Sequence, residues 1–189
     1  LFKILRSDIE SLSIVIDDKT YPEEVEGIVY SSRAGVYNIT IGEQITIVTV
    51  EGGTATFNIG SLSADNYQAT ASFEGDDYYN PFSNDTTFTV YPLNTQLDLE
   101  VNPSEIVYGK TVTVAPILPG TATGTVKYYI NGTLIDELGV DKNFPLPLLD
   151  VGTYEIKGNY SGDNNHKTSE KTITITVGQA PNTARVKVS

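Results

Sequence analysis

The 189-residue chain has no cysteine, no methionine, no tryptophan and a single histidine, His166. Without cysteine there is no disulfide to staple the fold and no thiolate to attack a substrate. HExxH, a phosphate-cradling glycine loop and any Cys/His metal cluster are all missing. No run of 18 or more apolar residues occurs, so membrane insertion by a helix is not expected. Basic residues are scarce, with 12 Lys and Arg against 24 Asp and Glu, a net charge of −12. Such a surface repels phosphate backbones, and nucleic acid is not an expected partner. The charge is uneven: residues 1–92 hold 14 acidic and 4 basic side chains, while residues 93–189 hold 10 and 8. Its plain consequence is solubility and repulsion between neighbouring chains. What the chain has in quantity is Thr, Tyr, Val and Ile in short alternating runs, a strand-former's composition. Prolines, glycines and β-branched residues interrupt every helical period.

The strongest internal signal is a repeat. Tyr67–Val90 (YQATASFEGDDYYNPFSNDTTFTV) and Tyr154–Val177 (YEIKGNYSGDNNHKTSEKTITITV) share one plan: a strand, a Gly/Asp loop, a second strand. A shift of 87 positions lays Tyr67 on Tyr154, Gly75 on Gly162, Asp76 on Asp163 and Val90 on Val177. Two domains follow, 1–92 and 93–178, each large enough to fold on its own core. In the first, alternation starts at Leu12, Ile14 and Ile16. A strand over Glu23–Tyr30 follows, weakened by Gly27, then a hairpin over Gly35–Val50 and a short strand over Thr54–Ile59. The second repeats the order, with strands at Leu97–Val101 and Thr111–Val114, then GTVKYYINGTLI turning at Asn131–Gly132. Pro145 and Pro147 mark Phe144–Leu149 as an edge strand or extended segment. About seven short strands per unit predict an all-β fold of two tandem antiparallel sandwiches, joined end to end by the short Pro92-bearing linker. Residues 1–10 fit no clean pattern. In 179–189, Ala184, Val186 and Val188 fall under the same shift on Leu97, Leu99 and Val101, as if a further repeat began there. With Leu1 at its start, the chain reads as a fragment of a larger protein.

The second unit resembles the bacterial Ig-like repeat of group 3 type, on the motifs GTVKYYINGTLID, DVGTYEIKGNYSGDNNHKTS and KTITITV. The first carries GVYNITIGEQIT, NYQATASFEGDDYYN and TTFTVYP, and departs from the pattern before Gly35 and at Asp65–Asn66. The wording is especially similar to adhesin-like proteins of methanogenic archaea. That resemblance implies an extracellular, cell-surface location and a stalk or adhesive role, with neighbouring repeats of the same chain as partners. It supplies no catalytic residues. A carbohydrate- or cell-wall-binding accessory module of a larger surface enzyme is the alternative.

Several residues are candidates for particular roles. Tyr67 and Tyr154 sit where a tyrosine corner would, near the start of the penultimate strand, or are ordinary half-buried strand tyrosines. Glu74, Asp76, Asp77 and Asp163 are oxygen-rich loop residues that could serve calcium or simply form turns. No other cofactor is implied. Asn38, Asn84, Asn131 and Asn159 head N-glycosylation sequons. Tyr78–Tyr79 and Tyr128–Tyr129 could stack against cell-surface glycan, with one ring of each pair expected in the core and the other exposed. Lys110, Lys127 and Lys157 are donors for a self-made isopeptide bond if any is buried, though a solvent face is the simpler expectation. His166, in the polar loop SGDNNHK, is expected to be solvated, and no enzymatic activity is expected.

Overall fold

The computed structural model describes residues 5–181, which divide into two compact units meeting between Leu93 and Asn94. In the first unit, β1 (Leu12–Ile16), β3 (Glu24–Ser31) and β6 (Thr54–Ser61) form one sheet in the order β1-β3-β6. A second sheet runs β2-β8-β7-β4-β5, from β2 (Lys19–Thr20), β8 (Phe82–Tyr91), β7 (Asp65–Phe73), β4 (Gly35–Ile41) and β5 (Gln44–Val50). Every ladder is antiparallel except β2 on β8. Leu12, Ile14 and Ile16 alternate inward along β1, as their spacing predicts. They meet Val25, Val29 and Phe57 of their own sheet and Tyr37, Ile39, Ala69, Ala71 and Phe88 of the other. Gly27, which weakens β3 by propensity, is there for space: a Cβ would overlap the Phe57 ring and crowd Ile16.

The second unit repeats this arrangement with β9 (Asp98–Asn102), β10 (Thr113–Ile117) and β13 (Phe144–Pro145) in one sheet. Its partner sheet runs β12-β11-β14-β15, from β12 (Thr133–Gly139), β11 (Thr125–Ile130), β14 (Gly152–Tyr160) and β15 (Ser169–Val177). Phe144, on β13 where the first unit has β6, stacks on the buried Tyr128 at 4.5 Å between ring centroids. Pro145 lies on an edge strand, where the missing N–H breaks no ladder. Asn131, at φ 48°, and Gly132 make the β11–β12 turn. The 87-residue shift holds for β7 against β14. By ladder register it becomes 89 across the hairpin, because Asn38 faces Ser72 while Lys127 faces Asn159. The second unit is therefore two residues shorter between β11 and β14 than the first is between β4 and β7.

Three local features are set by the tertiary structure. β2 lies in the segment DDKTYP, and its pairing with β8 is matched in the second unit by the parallel bridge Val107–Gly178. In β5 the inward residues are Val48 and Val50, while Ile45 and Ile47 point outward. Leu5–Glu10 is not unplaced: Ile9 is in the first core, and Ser7 hydrogen-bonds backbone-to-backbone with Tyr78 and Asn80. Ala184, Val186 and Val188 lie outside the described residues. Each unit has its own core. Phe144→Ala, which removes a buried ring, should cost about 3–5 kcal/mol in chemical denaturation and shift only the second unit's transition. A shift in both transitions would contradict separate cores.

Candidate functional site

The loops between β7 and β8 and between β14 and β15 are built on the same hydrogen bonds. In the first, Asp76 Oδ1 accepts the backbone N–H groups of Tyr78 and Tyr79, each at 2.8 Å, while the Asp76 N–H donates to the Tyr79 carbonyl at 3.0 Å. In the second, Asp163 Oδ1 accepts from Asn165 and His166, again at 2.8 Å each, and the Asp163 N–H donates to the His166 carbonyl at 2.9 Å. An aspartate bonding backbone amides two and three residues ahead is a local turn that needs no metal. The preceding glycine is required by the turn: Gly75 has φ 85° and Gly162 φ 71°, and a Cβ at either would press on backbone of the same loop.

The second oxygen ties each loop to the segment ahead of β4 or β11, and here the units differ. Asp76 Oδ2 pairs with Arg33 Nη2 at 2.5 Å, and the guanidinium lies 4.0 Å from the centre of the Tyr79 ring. The hydrogen bond to Arg33, followed by that from Tyr78 N–H, holds the Asp76 carboxyl below its ordinary range. Asp163 Oδ2 accepts from Thr123 N–H at 2.7 Å, Thr123 Oγ1 at 2.9 Å and the Tyr160 hydroxyl at 3.2 Å. Burial works to raise the Asp163 pKa. The Thr123 N–H, the His166 ring, the Thr123 hydroxyl and the Asn165 N–H outweigh it and hold the group well below the usual carboxylate range. Tyr160 is pushed up to about 12, first by burial and then by the Asp163 charge.

His166 corrects the expectation of a solvated loop residue, because it is only 1 % exposed. Its Nδ1 lies 2.9 Å from Asp163 Oδ1 and its Nε2 lies 3.2 Å from Thr121 Oγ1. Hydroxyl, imidazole and carboxylate thus follow one another in the order of a nucleophile, base and acid. Catalysis would also need a cleft and donors aimed at a developing oxyanion. None of the five principal hollows of the described residues is lined by Thr121, Asp163 or His166. The arrangement fastens a loop. No sequence motif signals it, since Thr121 stands 45 positions from His166 and Thr123 stands 40 from Asp163.

The other candidates fall at scattered places. Tyr67 donates its hydroxyl to the Ser63 carbonyl at 2.9 Å and Tyr154 to Asp150 at 3.1 Å, each four residues upstream. Glu74 accepts from the Asn38 amide, and Asp77 joins no acidic cluster. Among the described residues no three His, Asp or Glu side chains are gathered as a metal site. Of the sequon asparagines, Asn84 and Asn131 are exposed, whereas Asn38 and Asn159 are half-buried on the outer sides of β4 and β14. The Asn131 carbonyl oxygen accepts from Glu155 N–H. Tyr78 is exposed and Tyr79 packs on the first core, as expected, although both lie in the loop rather than in a strand. Tyr128 is buried, and Tyr129 is half-buried. Lys110 is exposed, and Lys127 and Lys157 pair with Glu137 and Glu170 at the surface, so none of these lysines is a core isopeptide donor.

No family model matches the chain, and no curated protein matches its sequence. Solved structures do resemble it. Fibronectin(III)-like modules of Clostridium thermocellum CbhA share 14 % identity over 94 % of this chain and 100 % of theirs, at a TM-score of 0.39. The mouse nectin-like molecule 4 ectodomain shares 13 % over 95 % of this chain and 67 % of its own, at 0.42. The Yersinia pseudotuberculosis adhesin InvE shares 13 % over 88 % and 60 %, at 0.39. Likeness at this level says nothing about ligand or activity. The strand order decides the architecture: the first, second and fifth main strands form one sheet, and the third, fourth, sixth and seventh form the other. Both units are Ig-like β-sandwiches. In such domains the loops at either end of the sandwich are where binding groups usually sit, and here the Gly–Asp loops are closed by their own hydrogen bonds. Among the described residues no helix is long and apolar enough to cross a membrane.

Asp163→Ala should cost about 1.5–3 kcal/mol, the usual worth of hydrogen bonds to a charged group, read as a lower denaturation midpoint of the second unit. The sign of the pH effect follows from the lowered pKa. The Asp163 contribution is complete above the unfolded value of about 4 and fades as pH falls from there through the lower folded value. The variant should therefore show a smaller loss of stability on acidification than the parent. Equal acid sensitivity in both would contradict this account.

Proposed function

We propose that the chain is a non-enzymatic segment of a cell-surface adhesin-like protein, in which tandem Ig-like units act as an extracellular stalk or adhesive module. One observation carries the reading. The loops where a sandwich would present catalytic or ligand groups have their polar side chains committed to their own backbone: Asp76 and Asp163 to turn amides, and His166 to Asp163 and Thr121. A module built this way contributes shape and reach rather than chemistry. Its partners in this reading are neighbouring repeats and cell-surface molecules, and no cofactor is needed. The motif likeness to group 3 type repeats of archaeal adhesin-like proteins supports the same assignment.

A second reading, a carbohydrate- or cell-wall-binding accessory module, has one feature in its favour. Tyr78 stands 64 % exposed on the first unit's loop, beside a polar hollow of about 370 Å³ reaching Ser7, Arg33 and Tyr79.

Two measurements separate these readings. Protease treatment of intact source cells should release fragments of this chain before any cytoplasmic marker, and retention inside shaved cells would contradict surface display. On a glycan array the chain should show no binding that Tyr78→Ala abolishes; such binding would move the assignment to the accessory module.

A further inference from the structure

We propose that β5 is a homophilic contact, the free edge of the first unit's larger sheet pairing antiparallel with β5 of a second copy of this chain. β5 ends the order β2-β8-β7-β4-β5, and no other described strand pairs along its far side. The turn at Gly42–Glu43 makes Ile41 and Gln44 a hydrogen-bonded pair, and such pairs alternate along an antiparallel ladder. The N–H and C=O groups of Ile45, Ile47 and Thr49 therefore point away from β4. The same residues turn their side chains to the outer face of the sheet. Ile45 and Ile47 are each 67 % exposed there, and Val36, diagonal to Ile47 across the ladder, is 56 % exposed.

Edges of this kind are normally blunted by charge, proline or a bulge. The strand QITIVTV has no charge and no proline, and its ladder runs without a register shift. The second unit supplies the internal control. Its equivalent edge strand, β12, carries Asp136 and Glu137 and is bulged opposite Tyr128–Tyr129. Ile47 lies opposite Asn38 and Glu137 lies opposite Lys127, the two equivalent positions of β4 and β11. Glu137 thus stands where Ile47 does. One of two equivalent edges is protected and the other is left open.

A second copy fits because the strand is its own complement. A two-fold axis through Ile47 sets Ile47 against Ile47 and Ile45 against Thr49, while just beyond the strand ends Glu43 of one copy faces Glu51 of the other, a like-charge pair that salt must screen. Val36, Ile45 and Ile47 offer about 300 Å² of apolar side chain per copy, about 600 Å² for the pair, against the roughly 1,200 Å² at which stable interfaces begin. A single contact is therefore weak and gains strength only when many copies are held on one surface. The acidic balance of residues 1–92 opposes approach, so association tightens as salt screens the repulsion. The inference gives the adhesive reading a partner and rests on it for biological setting alone.

Sedimentation of the full chain at high concentration should show a monomer–dimer equilibrium that tightens with added salt. Ile47→Glu should weaken it at least about tenfold, whereas Leu134→Glu on β12 should leave it unchanged. Because the chain lacks cysteine, Ile47→Cys should oxidise to a covalent dimer while Val15→Cys stays monomeric. A chain that stays monomeric throughout, or a dimer indifferent to Ile47→Glu, overturns the proposal. A dimer lost on removing residues 182–189 but kept by Ile47→Glu assigns the contact to that segment and overturns it equally. Self-association in a protein absent from the cell surface would remove the setting and leave the contact standing.

Discussion

The interaction on which both units depend is one carboxylate oxygen accepting two backbone N–H groups in a row. Asp76 does this for Tyr78 and Tyr79, and Asp163 for Asn165 and His166. The turn fixes where the penultimate strand stops and the last begins, and thereby sets the register of the β7–β8 and β14–β15 ladders. With one oxygen occupied locally, the other is free to reach across the end of the sandwich. It takes Arg33 in the first unit and Thr123 with Tyr160 in the second. One geometry, met by two unrelated sets of donors, closes the same end of both domains.

The tyrosines act at the opposite end of the same strands. Tyr67 stacks on Phe88 at 5.4 Å and returns its hydroxyl to Ser63, while Tyr154 returns to Asp150. The penultimate strand is thus anchored by a side-chain-to-backbone bond at its start and a carboxylate turn at its end. A sheet pinned this way holds its register without a disulfide. The open edge at β5 belongs to the same pinned sheet. Fixed register presents Ile45, Ile47 and Val36 as one continuous outward patch rather than a shifting one.

Much of the fold was legible in the sequence because period-two alternation and an 87-residue echo are strong signals. Leu12, Ile14 and Ile16 pointed inward where their spacing put them, and Asn131–Gly132 turned where that dipeptide turns. The edge position of Pro145 followed from its missing donor. What stayed hidden was set by distance along the chain. SGDNNHK reads as a solvated loop because nothing in its seven residues reveals Thr121 arriving from another segment to bond the ring of His166 and Thr123 to bond Asp163. The carboxylates Glu74, Asp76 and Asp77 read as a cluster because they are adjacent in sequence, yet Glu74 turns to Asn38 and Asp76 to Arg33.

Amide hydrogen exchange tests the central claim most directly. If the aspartate turns are structural closures, the N–H groups of Tyr78, Tyr79, Asn165 and His166 should exchange as slowly as strand amides of β7 and β14. Exchange at open-loop rates, with those strands still protected, would show that the carboxylate turns do not close the sandwiches.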